Sequence, residues 1–298
     1  MSAPPTGQST FSRRERVAGY VALTKPRIIE LLLVTTVPTM FVAERSVPSV
    51  WLMVATVVGG SLAAGGANAV NMVVDRDIDG LMERTMHRPL VRGVMSPRAA
   101  LTFAVVIEVV AFAWLFTTVN LLSALLAVSA TFFYVFVYTL WLKRTTTQNI
   151  VIGGAAGAVP VLVGWSAVTN SLGWAPVVLF LVIFFWTPPH FWALAIRYRE
   201  DYSAASVPML PAVATLAATA RKITLYTVML VGTTLVFAPV ADMGAVYVAA
   251  ALILGALFGV LALAVQRDPT ERAAMRLFSY SITYVTLLFA AMIVDVLV

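Results

Sequence analysis

The chain has 298 residues, 60% of them hydrophobic and only 11% charged, with a mean hydropathy of +0.91. Soluble domains carry about 45–50% apolar and about 25% charged residues, so this composition describes a polytopic membrane protein. The chain has no cysteine, which excludes disulfides and thiolate-ligated metal centres. A net charge of +6 and a pI near 9.8 would suit nucleic acid, but basic residues in membrane proteins more often report orientation. Their positions support that reading, and no nucleic-acid partner is expected.

Residues 1–17 are polar, with Pro4, Pro5, Arg13, Arg14 and Arg16. They contain no apolar core followed by a small-residue cleavage site, so a disordered cytosolic tail is expected rather than a removable signal. Residues 18–298 read as one transmembrane domain. A span needs about 20 mostly apolar residues. Nine such stretches occur, roughly at 26–43, 50–73, 98–117, 119–141, 149–169, 172–195, 222–240, 243–265 and 277–297. The expected fold is therefore an all-α bundle of nine transmembrane helices, surrounded by membrane lipid. Alternate loops hold nineteen of the twenty Lys and Arg residues, and only Arg45 lies opposite. That asymmetry predicts a cytosolic N-terminus and an external C-terminus. The longer loops at 74–97, 196–221 and 266–276 all fall on the cytosolic side, where the reactive end is expected. The second and sixth spans each run into a loop of carboxylates and arginines, a weak sign of internal repetition.

Thr24-Lys25-Pro26-Arg27-Ile28 opens the first span, with Glu30 one turn further in. A proline is well tolerated in the first helical turn, and the two cations suit an interface. Glu30 fits that account less well, because an unpaired carboxylate in lipid is costly.

The densest chemistry follows the second span, in the stretch from Asn68 to Pro89. Asn71, Asp75 and Asp79 are spaced i, i+4, i+8, which stacks them on one helix face while Asp77 points elsewhere. Oxygen ligands in a column suit a hard cation such as Mg²⁺, usually held by one or two carboxylates and substrate phosphates. Arg84 and Arg88 repeat the i, i+4 spacing and suit the same phosphate oxygens.

Lys143 and Arg144 join the fourth and fifth spans and offer either further phosphate contacts or ordinary positive-inside charge. The sixth span carries Trp186-Thr-Pro188-Pro189-His190-Phe191-Trp192, and runs on to Arg197 and Asp201. The two prolines predict a break or kink that frees backbone carbonyls, with His190 just beyond it. Glu108 lies inside the third span, where a cross-helix hydrogen bond and a cavity-lining role are both open.

These residues also carry a resemblance. Asn71-x-x-x-Asp75-x-x-x-Asp79 resembles the first aspartate-rich motif of the UbiA superfamily of intramembrane prenyltransferases. The string from Asp75 through Arg84-Thr85-x-x-Arg88-Pro89-Leu90 is similar to the haem O synthase branch. The Lys25-Pro26-Arg27, Lys143 to Asn149 and Trp186 to Pro211 stretches resemble the same branch. The second aspartate-rich motif of the superfamily is represented only by Asp201 beside Glu200, and His87 stands where that branch has an amide residue.

The resemblance implies a helical bundle around a central cavity. It also implies that farnesyl diphosphate, protohaem IX (haem B) and water give haem O and diphosphate. It assigns metal binding and catalysis to Asn71, Asp75 and Asp79. Diphosphate or haem contacts fall to Lys25, Arg27, Arg84, Arg88, Lys143, His190, Arg197 and Asp201. It further implies a multi-pass protein of a bacterial cell membrane rather than a mitochondrial inner membrane. Haem A synthase or oxidase-assembly factors are the protein partners it allows. A prenyltransferase for a quinone precursor and a transporter are the competing readings. Transporters hold ionisable groups near the bilayer midplane, whereas these carboxylates cluster at one face.

Overall fold

The computed structural model describes residues 11–298, except the side chains of residues 27–33. It is all helical among these residues. The chain enters through α1 (Arg13–Leu23), whose N-cap Ser12 exchanges hydrogen bonds with Glu15 in a capping box. Residues 13–17, expected within a disordered tail, therefore form the first turns of a helix. The Ser-x-x-Glu signature fixes that start, and residues 1–10 lie outside the described residues.

The long helices follow as α2 (Pro26–Glu44), α3 (Val50–Val74), α4 (Pro97–Thr118), α5 (Leu121–Thr145) and α6 (Asn149–Thr169). Then come α7 (Trp174–Arg197), α8 (Leu216–Val240), α9 (Ala245–Arg267) and α10 (Glu271–Leu297). Among the described residues, α3 to α10 are eight helices long and apolar enough to cross a membrane. Helix α2 occupies the stretch predicted as the first span.

Each long helix packs on the next, and α10 closes back onto α2, so the bundle is a ring. Small residues let the ring tighten, as membrane helix packing requires. Gly164 of α6 lies so close to α2 that an added Cβ would sit 2.6 Å from the Thr36 carbonyl oxygen. Across α3 and α4, Gly66 leaves room for Glu108, whose Oε1 accepts a 3.1 Å hydrogen bond from Thr131 on α5. Glu108 thus makes a hydrogen bond across helices.

Two local features depart from the sequence expectation. Helix α7 runs unbroken through Pro188 and Pro189 rather than breaking there. The prolines still remove two backbone donors, and Thr187 Oγ1 bonds the Ile183 carbonyl at 2.9 Å just before them. Enclosure among α6, α8 and α10 holds the helical path. In α5, residues Phe133–Leu142 wind as a π-helix, which no periodicity in the sequence announced. Thr139 Oγ1 bonds the carbonyl of Tyr134 five residues back, in keeping with the wider turn.

The loops 74–97 and 196–221 cover one end of the ring together. They contain short helices at Arg76–Asp79, Arg199–Ala204 and Leu210–Val213. Ile78 and Met82 from the first loop and Tyr202, Val207, Met209 and Leu210 from the second are buried in one common core.

Gly164→Ala forces its methyl against backbone rather than a movable side chain, and overpacking of this kind costs about 1–3 kcal/mol. The variant is expected to melt earlier in detergent than Gly157→Ala, where a Cβ meets nothing within 4 Å. Equal melting of the two variants would refute a tight α2–α6 contact.

Candidate active site

The site forms where α3 ends. Asn71 sits in the last turns of that helix, Asp75 is its C-cap, and Asp79 ends the short helix that follows. The Asp79 N–H still bonds the Asp75 carbonyl at 2.8 Å, so the column of one face persists across the helix boundary. Asn71, Asp75 and Asp79 are all buried. Asp77 is not: its side chain is 59% exposed and points to Arg144, as its place off the column predicts.

Burying carboxylates at a membrane helix end requires cations beside them. Arg88 Nη1 donates to both oxygens of Asp79, at 2.7 and 2.6 Å. Lys143 Nζ donates to Asp75 Oδ2, and the Asn71 amide nitrogen donates to the same oxygen at 2.6 Å. Lys25 Nζ donates to Asn71 Oδ1 at 2.9 Å. Arg144 grips Asp77 through two 2.7 Å hydrogen bonds and lies 3.6 Å from Asp75 Oδ1. The end of α1, the mouth loop and the end of α5 thus meet at the end of α3.

Each cation is placed by a specific piece of backbone. Lys25 takes the left-handed conformation at φ 49°, uncommon for a side chain of this kind, where it turns the chain from α1 into α2. The π-helical segment brings Thr139 to 3.3 Å from the Asn71 amide and delivers Lys143 at its C-terminal end. Such segments occur often at functional sites. Burial, and then the nearby Arg88 and Lys143, bring the Lys25 pKa down to about 7. Arg144 holds the Asp77 carboxyl well below the usual range, chiefly through its hydrogen bonds.

Lys25, Arg88 and Lys143 therefore join the Asn71–Asp75–Asp79 column directly. Arg84 does not reach it. Its guanidinium lies 5.8 Å from the centre of the Tyr198 ring and near the Tyr202 hydroxyl. Arg197 lies over the same Tyr198 ring at 5.8 Å and pairs with Glu271 at 3.4 Å. Asp201 adjoins Tyr202 and has one buried oxygen without a hydrogen-bond partner among the described residues. His190 is buried between α7 and α10: Nδ1 is 2.7 Å from Ser281 Oγ and the ring stacks on Trp186 at 4.3 Å. His87 is exposed. The side chains of Arg27 and Glu30 lie outside the described residues.

Several site residues had no signal in the sequence. Tyr134 and Tyr138 are stacked with ring centres 5.4 Å apart, and the Tyr134 hydroxyl feels Asp75, Asp79 and Arg88. A period of 3.6 placed on α5 cannot predict which of its aromatics face inward once the helix widens.

The donor set suits a hard divalent cation. It offers two buried carboxylates and an amide oxygen, and Asp75 Oδ1 is buried without a hydrogen-bond partner among the described residues. Among those residues no three His, Asp or Glu side chains converge, so further ligands would come from a substrate's oxygens.

An apolar helical ring with a carboxylate and cation cluster at one end fits an intramembrane prenyltransferase. Residues 32–291 match the UbiA prenyltransferase family, and the chain belongs to that family. It is 56% identical to a protohaem IX farnesyltransferase of Frankia casuarinae over 95% of this chain and 99% of the relative. A protein of the same name from a Parafrankia species is 55% identical, over 93% and 90% of the two chains. A UbiA homologue from Archaeoglobus fulgidus, solved with DMAPP and Mg²⁺, has the same fold, with a TM-score of 0.63 at 15% identity. That alignment covers 90% of this chain and 99% of the homologue.

Asp75→Asn and Asp79→Asn should each lower kcat/KM for prenyl transfer at least about a hundredfold, with the protein still inserted, because lost leaving-group stabilisation is worth several kcal/mol. Asp77→Asn should cost less than about fivefold, since its carboxylate faces outward. Equal losses at all three positions, read from initial rates in membranes, would defeat the single-face argument.

Proposed function

We propose that this chain transfers the farnesyl group of farnesyl diphosphate to a vinyl group of haem B, with addition of water, giving haem O and diphosphate. The observation that carries the reading is the buried Asp75 and Asp79 pair at the mouth of an apolar ring. More than half of the chain's residues are shared with relatives named for this reaction. The haem O formed would feed haem A synthesis, which gives haem A synthase and oxidase-assembly factors a reason to meet it.

Asn71, Asp75 and Asp79 would hold Mg²⁺, which neutralises charge developing on the diphosphate. The chain's own cations then change partners. Lys143 and Arg88, which here pair with Asp75 and Asp79, and Lys25, which here pairs with Asn71, would donate to the phosphate oxygens. The allylic C–O bond breaks with its electron pair leaving on the diphosphate. The vinyl π electrons attack the farnesyl carbon, and water adds to the cation left on the acceptor and loses a proton. The stacked Tyr134 and Tyr138 present aromatic surface beside the diphosphate. The two covering loops limit early quenching by bulk water.

The acceptor's contacts are proposed at His190. Its Nδ1 is engaged by Ser281, which leaves Nε2 as the nitrogen to face a porphyrin. His190→Ala is expected to weaken haem binding about tenfold in a spectral titration, with the KM for farnesyl diphosphate little changed. Unchanged haem affinity would reduce His190 to a packing residue. Wild-type membranes given haem and farnesyl diphosphate should yield haem O only with Mg²⁺ present. A prenylated phenolic acid as the sole product would overturn the acceptor.

The orientation proposed is a cytosolic N-terminus and mouth with an external C-terminus, in the cell membrane of a bacterium. It rests on the basic residues of alternate loops. Single cysteines at the exposed Gly80 and Ser203 should react with an impermeant maleimide from the cytosolic side alone. Labelling of either from outside would reverse the orientation.

A further inference from the structure

A second polar site adjoins the first. Arg197 at the end of α7 and Arg272 and Arg276 in the opening turns of α10 line a groove of about 710 Å³, with Glu271, Met275 and Ser279. Glu271 is the one carboxylate there, and it pairs with Arg197 at 3.4 Å through largely exposed side chains. Among the described residues neither Arg272 nor Arg276 has a carboxylate within 4 Å. Both also line an adjoining recess with Asp268, so three guanidiniums face two carboxylates and the groove keeps a net positive charge.

Its position relative to the other groups is what makes it specific. Tyr198 lies between the two sites, with Arg84 of the mouth loop and Arg197 of the groove each 5.8 Å from its ring centre. Below the groove, the same two helices meet at the His190–Ser281 contact, where Phe278 packs 4.6 Å from the imidazole. At about 1.5 Å rise per residue, Arg197 lies roughly 10 Å along α7 from His190. Arg272 and Arg276 lie roughly 8–14 Å along α10 from Ser281. Both helices thus set guanidiniums one similar step above the imidazole.

We infer that this α7–α10 groove binds the two carboxylates of the porphyrin acceptor through Arg197, Arg272 and Arg276. The inference rests on the proposed acceptor and names a binding site for it. Guanidinium forks match carboxylates bidentately, and an anionic ligand suits a groove where arginines outnumber carboxylates. The weak, exposed Glu271 contact yields Arg197 to the incoming carboxylate at small cost. Basic residues at a membrane face also anchor helices to lipid. Anchoring does not ask for three guanidiniums around one groove beside an imidazole, and the test separates the two.

The full-length protein is placed in nanodiscs of zwitterionic lipid, and initial rates are measured with haem and with haem dimethyl ester. Arg272→Gln/Arg276→Gln is expected to raise the KM for haem about tenfold, with kcat and the KM for farnesyl diphosphate within about twofold of wild type. The wild type should discriminate against the ester by a similar factor, and the Gln variant should not. Arg272→Lys/Arg276→Lys should keep most of the preference for the free acid, which separates charge from packing. An unchanged haem KM in the Gln variant, or equal losses with acid and ester, overturns the inference. An effect that appears only when anionic lipid is added assigns the groove to a lipid headgroup instead and also overturns it. Failure of the wild type to farnesylate haem at all would sink the acceptor assignment, a result distinct from a Gln variant that behaves as wild type.

Discussion

The whole site depends on one electrostatic requirement. Asp75 and Asp79 are buried where a transmembrane helix ends, and a carboxylate there is stable only with a cation held against it. Arg88 meets that need from nearby in the same loop and Lys143 from the far end of α5. Lys25, at the end of α1, binds the amide that bonds Asp75. The requirement therefore draws together the end of α1, the mouth loop and the end of α5. Much of the irregular backbone follows from it, including the left-handed turn at Lys25 and the π-helical winding before Lys143.

The ring of helices supplies what the cluster cannot. It encloses an apolar interior while leaving one end to be covered by loops rather than by helix ends. The covering loops share a core through Ile78, Met82 and Tyr202, so the residues that cap the bundle also position the charged groups. Stability and chemistry are joined there: Thr85 bonds the Asp79 carbonyl at 2.9 Å and shapes the turn that returns Arg88 to the Asp79 carboxylate.

Much of this was legible in the sequence because the membrane simplifies the code. Lipid forces near-continuous apolar runs, and these mark α2 to α10 closely. The i, i+4, i+8 spacing placed Asn71, Asp75 and Asp79 on one face and Asp77 off it, which the buried and exposed side chains reproduce. What escaped had no local signature. The widening of α5 depends on tertiary contacts, so Tyr134 and Thr139 could not be assigned to the site. The unbroken course of α7 through Pro188 and Pro189 reflects the helices around it, not propensity. Helix α1 was overlooked because its mean polarity hid a capping box that local reading can find.

The charge balance at the mouth carries a consequence for how substrates enter. Lys25, Arg88, Lys143 and Arg144 face Asp75, Asp77 and Asp79, so the site is close to neutral in its own right. The divalent cation and prenyl diphosphate proposed for this site would arrive with charges that nearly cancel. Taken together they preserve the neutrality, whereas either alone leaves an excess charge in a partly desolvated site. Lone diphosphate would face Asp75 and Asp79 across the same few ångströms. The network of internal ion pairs would thus favour joint binding of the proposed pair, and it compensates the buried carboxylates without them.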